Sequence, residues 1–411
     1  MESDKKHGSG VYVAIRGSRM HYAIPRQLSE RGLLSQFFTD TYFYDGIARD
    51  MIQGISPRII PTWLRRLSGR NANLPNSIVK SYPLDDLLFR LKVKRVEDPN
   101  KRISLQSEAA AKFNRRVIRD LNAGLGSAIY CINGDALEIF QNCREIGIRC
   151  LLEQCIVPQR TQYELLSRKF IRSRGHTSLG TWDVERAAAR EEAEWRLADL
   201  IITPSEFVRD SMVSLGVPPG KIVVVPYGVD TDAFPCRVRK PKNPHLNLLF
   251  VGAATVRKGI FELLDAARRV GSCIELRIIG HAEEQISCLA GAESNVRFLG
   301  KVARSEIVEH FEWADIFVLP TLMEGSATVI YEALACGIPV ITTPNAGSLV
   351  RHGHDGLIVE PGDTEGLVNA ILELASNHLE ITRMSVNAIE SRDRLSVSSY
   401  SERLINAISE H

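Results

Sequence analysis

The stretch Asp315–Thr343, DIFVLPTLMEGSATVIYEALACGIPVITT, decides the fold. It opens on a β-branched apolar run that stops at Pro320. A loop carrying Glu324 and Gly325 follows, then an apolar helical period from about Ala327 to Cys336, then a second β-branched run from Pro339. Ser326 is the candidate N-cap of that helix and Gly337 its candidate left-handed stop. Two continuous apolar strands joined by a helix make a βαβ unit, whose parallel sheet is covered on both faces.

The same alternation spreads outward. Downstream lies Asp355–Glu360, and upstream lie Val296–Gly300, Glu275–Gly280 and Leu246–Gly252, all short apolar runs separated by amphipathic stretches. The first half repeats it at Val11–Arg16, Ser127–Ile132, Arg149–Gln154, Asp199–Ser205 and Lys221–Pro226. Residues 45–107 are poorly patterned and read as an insertion outside the first sheet. Tyr227–His245, with three prolines and no sustained period, reads as a linker. The expected organisation is therefore a first Rossmann-like domain over 1–226, a hinge over 227–245, a second such domain over 246–390, and a C-terminal helix over 391–411 that packs back toward the first. Two doubly wound domains would face each other across a cleft at the carboxyl ends of their strands, where open α/β sheets bind ligands.

Composition bounds the function. The chain has 411 residues, 44% hydrophobic and 24% charged, with a net charge of +2. That balance argues against a nucleic-acid binder. Between Pro57 and Asp120 there are 15 Lys plus Arg against 6 Asp plus Glu. Either this is a solvated helix face or it meets an anionic membrane, and PTWLRRL, with Trp63, Leu64 and Leu67 opposite Arg65 and Arg66, favours the second. Eight cysteines without C-x2-C spacing or a His cluster predict no metal site. The polar start MESDKKHGSG shows no signal peptide, and no apolar run is long enough for a membrane helix. The expected location is cytoplasmic, peripheral on the inner membrane face if the basic stretch meets lipid. Nothing in the sequence sets an oligomeric state.

Two segments carry chemistry. In the first, Glu324 sits on the loop before a helix and Glu332 within it. A helix start offers unpaired N–H groups and partial positive charge to a diphosphate, and a carboxylate accepts from sugar hydroxyls. In the second, LLFVGAATVRKGIFELLDAARRV, a strand ends at Gly252, and Arg257, Lys258 and Gly259 open a helix. Two cations there suit a leaving diphosphate.

The ordered motifs VG…RKG, ELRIIG, VRFLG, ADIFVLPTLMEG…E and ACGIPVITT, with SEFVRDSMVSLGVPPGKIVVVPYGVDTDAF before them, resemble glycosyltransferase family 4. The resemblance is close over Glu194–Ser376 and loose before it. It implies the GT-B fold, a nucleotide-diphosphate sugar as co-substrate, retention of anomeric configuration, and no metal or other cofactor. It also implies a carbohydrate or lipid-linked acceptor, as in polysaccharide or glycolipid synthesis. Carried over, Glu324 would contact the donor sugar and Glu332 the ribose. Gly325, Ser326, Ala327 and Thr328 would offer N–H groups, and Lys258 would bind diphosphate with Arg257 beside it. This chain departs from the family pattern at four places. Ala253 stands where an Arg is common, and Gly17 is the only glycine of the loop RGSRMH. Asn133–Gly134 replaces a His-Gly pair, and His281 follows the second C-domain strand. Gly17 and Asn133 are then the candidate acceptor-side residues. The competing readings are a nucleotide-sugar 2-epimerase of the same fold and a non-catalytic nucleotide-sugar-binding subunit.

Overall fold

The computed structural model describes residues 10–46, 69–96, 98–172, 183–241, 245–282, 286 and 293–410. Seven strands form the first sheet: β1 (Gly10–Ile15), β2 (Leu34–Thr39), β3 (Val79–Ser81), β4 (Gly126–Ile132), β5 (Arg149–Glu153), β6 (Leu200–Thr203) and β7 (Ile222–Val224). They lie in the order β3-β2-β1-β4-β5-β6-β7. Six form the second: β8 (Leu246–Val251), β9 (Ile274–Ile279), β10 (Val296–Gly300), β11 (Ile316–Leu319), β12 (Val340–Thr342) and β13 (Gly356–Ile358), in the order β10-β9-β8-β11-β12-β13. Every pairing in both sheets is parallel.

Parallel strands need crossovers, and helices supply them. In the first domain these are α1 (Ala23–Glu30), α2 (Pro83–Val93), α3 (Pro99–Asp120), α4 (Leu137–Glu145), α5 (Gln159–Arg172), α6 (Val184–Leu197) and α7 (Glu206–Ser214). The second has α8 (Ile260–Val270), α9 (Arg304–Trp313), α10 (Thr328–Ala335), α11 (Thr364–Ser376) and α12 (His378–Glu390), and the chain ends on α13 (Arg392–Leu395) and α14 (Val397–Glu410). Both faces of the sheets are covered, which is why their strands read as unbroken apolar runs. On β1, Val11, Val13 and Ile15 join one buried cluster while Tyr12 and Ala14 join the cluster on the opposite face. In each sheet the strand order reverses once, between β1 and β4 and between β8 and β11.

Two expectations are corrected here. Residues 45–107 are not wholly outside the first sheet: Val79–Ser81 is its edge strand, paired through Phe37↔Val79 and Thr39↔Ser81. A three-residue strand shows no period of its own. Ser326 does not cap the helix after β11. That helix starts at Thr328 with Ala327 as N-cap, and the Ser326 hydroxyl instead lies 2.7 Å from the Tyr331 hydroxyl. Trp63, Leu64 and Leu67 fall outside the described residues. No helix of the described residues is long and apolar enough to cross a membrane.

The chain passes between the domains twice, and the two passages are packed together. Val229 N–H donates to Leu395 O at 2.9 Å, and Val229 forms a parallel bridge with Ser396. A Cβ on Gly228 would sit 2.4 Å from Ser396 O, so only glycine allows the approach. The ring of Tyr400 meets that of Tyr227 edge-on at 6.0 Å. From α14, Arg403 reaches Pro226 O at 3.0 Å, and Arg149 of β5 reaches Ile408 O at 3.0 Å. The last helix thus packs against the first domain. Tyr400→Ala would empty a fully buried ring site at this seam. We expect a stability loss of about 3–5 kcal/mol, read as a lower thermal midpoint of the purified protein. An unchanged midpoint would show the returning helix to be a passenger.

Candidate functional site

The loops after β8, β11 and β12 are tied side by side. Thr321 Oγ1 donates to Arg257 O at 2.8 Å and Leu322 N–H to the same carbonyl at 2.8 Å. Thr343 Oγ1 donates to Thr321 O at 2.7 Å, and Glu324 N–H to Asn345 O at 2.8 Å. These bonds bring the two chemical segments of the sequence into one site at the switch point of the second sheet. Arg257 and Lys258 occupy a single 3-10 turn, Val256–Lys258, and Gly259 with φ 72° then starts α8. A Cβ on Gly259 would lie 1.9 Å from Pro320 O, so this glycine lets the cation turn sit against the end of β11.

Glu324 is the centre of the site. Its Oε1 accepts from Arg257 Nη1 and also from Lys258 Nζ at 2.6 Å. Arg257 also donates to Met323 O at 3.2 Å. Lys258 is mostly buried. Burial pushes its ammonium below the usual lysine range, against the opposing pull of Glu324. Glu332, on α10, is largely buried too, and burial raises its carboxyl while Arg304 opposes the shift at 3.8 Å. Arg304 in turn lies 3.4 Å from the His21 ring of the first domain. Ala327 N–H donates to Ala346 O, which leaves Gly325, Ser326 and Thr328 as the candidate backbone donors. The His281 side chain is exposed, and only its carbonyl is tied in, accepting from Ala254 N–H at 2.8 Å.

Gly325 serves a purpose the sequence did not suggest. A Cβ there would lie 1.8 Å from Cys155 O, at the end of β5 in the first domain. The backbone that approaches it is therefore the protein's own. Ser205, the N-cap of α7, donates to Gly325 O at 2.6 Å across the same seam. The glutamate loop is thereby seated on the first domain.

The first domain holds a cavity of about 950 Å3 at the carboxyl ends of β1 and β4, the switch point of its sheet. Its walls include Arg16, Gly17, Phe89, Asn133, Asp135 and Arg190. Both acceptor-side candidates line it. Gly17 has φ 80° and opens the loop after β1. Met20, His21 and Tyr22 follow with φ of 46°, 50° and 60°. Left-handed conformations in non-glycine residues cost of order 1–3 kcal/mol each and persist only where surroundings hold them. Here Arg19 is held by Tyr227 Oη at 2.7 Å and Glu153 at 3.5 Å, and Tyr22 Oη donates to Thr41 O at 3.0 Å. Asn133 is committed at both ends: its Oδ1 accepts from Cys155 N–H at 3.1 Å and its Nδ2 donates to Glu191 at 3.3 Å. It shapes the wall.

Two buried glutamates that sequence reasoning passed over support that wall. Glu194 accepts from the N–H groups of Gly134 at 2.6 Å, Ala136 at 2.9 Å and Leu137 at 3.1 Å. Burial pushes its carboxyl up to about 8, although those N–H groups favour the charged form. Glu191 accepts from Gln154 and Gln159, and burial raises it as well. Asp135 is raised by burial with Arg16, 2.8 Å away, opposing. In the sequence, EEAEW reads as an ordinary solvated helix.

Comparison with known proteins agrees with this geometry. Residues 168–233 match the family described as Glycosyltransferase Family 4, and residues 245–377 match Glycosyl transferases group 1. The amylovoran biosynthesis glycosyltransferase AmsK of Erwinia amylovora is 27% identical over 199 residues, which cover 44% of this chain and 49% of that protein. Glycogen synthase of Mycobacterium tuberculosis is 30% identical over 188 residues, covering 43% and 45%. The chain thus spans about half the length of the curated relatives it matches. Among solved structures, Anabaena HepE in complex with UDP superposes with a TM-score of 0.63 at 16% identity, covering 98% of this chain and 100% of that one. Sucrose-phosphate synthase from Thermosynechococcus elongatus gives 0.68 at 16% identity, covering 98% of each. With two Rossmann-like domains and the two family signatures in consecutive places, the chain has the GT-B fold and is similar over residues 168–233 and 245–377 to the family 4 glycosyltransferases.

Proposed function

We propose that this protein is a retaining, metal-independent glycosyltransferase. It moves a sugar from a nucleotide-diphosphate donor, bound by the second domain, to a carbohydrate or lipid-linked acceptor in the cavity of the first. The observation that carries the reading is the convergence of Glu324, Arg257 and Lys258 at the switch point of the second sheet, on a loop seated against the first domain. HepE, of the same fold, is described in complexes with UDP and with UDP and glucose, which supports a nucleotide sugar as donor.

The chemistry asks for charge stabilisation. The bond from the sugar C1 to the diphosphate oxygen breaks, and the departing diphosphate gains negative charge. Arg257 and Lys258 are preorganised to receive it, which suits a transfer in which no metal neutralises the phosphates. Without donor, both cations are held by Glu324. A diphosphate competes for them and releases the carboxylate, which then accepts from hydroxyls of the transferred sugar. The acceptor oxygen bonds to C1 on the face the diphosphate leaves, and its proton passes to a diphosphate oxygen. Attack on that face retains the configuration. Glu332 would accept from the ribose, and the N–H groups of Gly325, Ser326 and Thr328 would offer the helix start to the phosphates.

Lys258→Ala is expected to weaken nucleoside-diphosphate binding by on the order of 1.5–3 kcal/mol while leaving nucleoside binding nearly unchanged. Thermal-shift titration of UDP, GDP and ADP against their nucleosides measures this, since a ligand of the native state raises the midpoint by mass action. Equal losses for diphosphate and nucleoside would remove Lys258 from the phosphate site.

Glu324→Gln separates the two duties of that carboxylate. Turnover should fall more than tenfold, or about 1.4 kcal/mol of transition-state stabilisation, because the amide presents a donor where the sugar needs an acceptor. Affinity for the free nucleoside diphosphate should hold or tighten, because Arg257 and Lys258 no longer have a competing anion. Turnover and nucleotide affinity lost together would overturn this division of roles. The anomer of the product, read by NMR, tests retention.

A further inference from the structure

The helix α2 turns two different faces to its surroundings. Toward the protein it presents Asp85, Asp86, Phe89 and Val93. Phe89 and Val93, with Asp86, line the cavity of the first domain. Asp85 is held by Lys112 at 2.6 Å and Arg116 at 3.1 Å, and Asp86 by Arg90 at 2.8 Å and Thr41 Oγ1 at 2.7 Å. Both acids of the helix are thus turned inward and compensated.

Outward it presents Leu84, Leu87, Leu88 and Leu91, each between 52% and 72% exposed. Their spacing of i, i+3, i+4 and i+7 puts them on one stripe. The stripe is unusual among the described residues, where other exposed large apolar side chains are scattered along the chain. The remaining exposed positions from Pro83 to Arg95 are Pro83 itself and the cations Arg90, Lys92, Lys94 and Arg95. By helical geometry Lys92 flanks one edge of the stripe and Arg90 the other, although Arg90 is paired with Asp86 and, with Lys94, also lines the cavity, so Lys92 and Arg95 are the cations left to the outer face. Among the described residues of this helix, no exposed acid lies on this face. A leucine stripe edged only by cations is complementary to a surface that is apolar below and anionic above.

We propose that α2 docks the protein on an anionic lipid surface, the leucines entering the interface and the cations meeting headgroup phosphates. A second copy of the chain is a poorer occupant, since a self-complementary interface would bring no acid from this face to meet its cations. The inner face of the same helix walls the cavity, so docking sets the cavity mouth beside the lipid. Given the transfer reaction proposed above, the acceptor would be a glycan or phosphate headgroup still attached to a lipid, entering past Phe89 and Val93. The docking itself does not depend on that reaction.

The test is flotation of the full chain with vesicles of phosphatidylcholine alone, or of phosphatidylcholine with one third phosphatidylglycerol, at low and high salt and with no donor or acceptor. Binding is expected on the anionic vesicles at low salt and is expected to weaken as salt rises. Leu87→Gln with Leu91→Gln, and separately Lys92→Gln with Arg95→Gln, should each lower the bound fraction by roughly tenfold or more. None of these four side chains lines the cavity. Both variants should keep the wild-type thermal midpoint and its nucleotide-induced rise, which separates loss of docking from loss of fold or of the donor site. No flotation of the wild type on anionic vesicles would overturn the proposal, as would full binding by the leucine variant. A concentration-dependent dimer that the leucine variant abolishes, seen by light scattering, would assign the stripe to a second copy instead. Normal nucleotide response without flotation would sink the docking and leave the transferase reading standing.

Discussion

One carboxylate oxygen organises the second domain's site. Glu324 Oε1 takes a hydrogen bond from Arg257 and another from Lys258 at 2.6 Å, and its loop is braced by bonds to the loops on either side. Two cations on one short turn repel each other unless an anion stands between them. Here that anion is Glu324, and in the proposed Michaelis complex it is the diphosphate. The same contact opposes the downward shift that burial imposes on Lys258, and breaking such a buried pair without a substitute is costly. Donor binding can then be described as an exchange of anions at fixed cations, with little rearrangement of the backbone.

The first domain works by a different device. Its cavity wall is shaped by buried acids that face inward onto backbone N–H groups and neighbouring side chains. Glu194 holds the turn of Gly134 and Ala136, Glu191 holds Gln154 and Gln159, and Asp135 holds Arg16. Satisfied networks of this kind rigidify a wall without offering it to solvent. The loop after β1 adds a further constraint. Three consecutive left-handed residues, Met20 to Tyr22, stand where only Gly17 is a glycine, and the contacts of Arg19 with Tyr227 and Glu153 hold the segment in place. Because Tyr227 lies at the hinge and packs on Tyr400, this loop and the interdomain seam share one cluster.

The two domains are more than apposed. Gly325 accepts the Cys155 carbonyl into the space a side chain would fill, Ser205 donates to Gly325 O, and His21 meets Arg304. The glutamate loop is thus shared property of both domains, and a change in their spacing is transmitted to Glu324 and Glu332.

The local sequence by itself determined the alternation of buried strands and crossover helices and the residue types carried by the loops after β8 and β11. Burial on both faces forces unbroken apolar runs such as Ile316–Leu319, and a helix stop demands a residue like Gly337, which has φ 71°. Those are short-range constraints and leave a local trace. The strand Leu34–Thr39 escaped because Ser35 and Gln36 break its apolar run, and Val79–Ser81 because three residues carry no period. What only the tertiary structure decided is which distant groups meet. Arg257 and Glu324 are 67 residues apart in sequence, and Ser205 and Gly325 are 120 apart. Nothing in either neighbourhood states the partner's position. The burial of Glu191 and Glu194 is equally invisible in EEAEW, because a helix surface becomes a wall only when another element covers it. The outward leucines of α2 are the converse case: their spacing is written in the sequence, but a core helix would carry the same spacing, and only the packed chain shows which face is left uncovered.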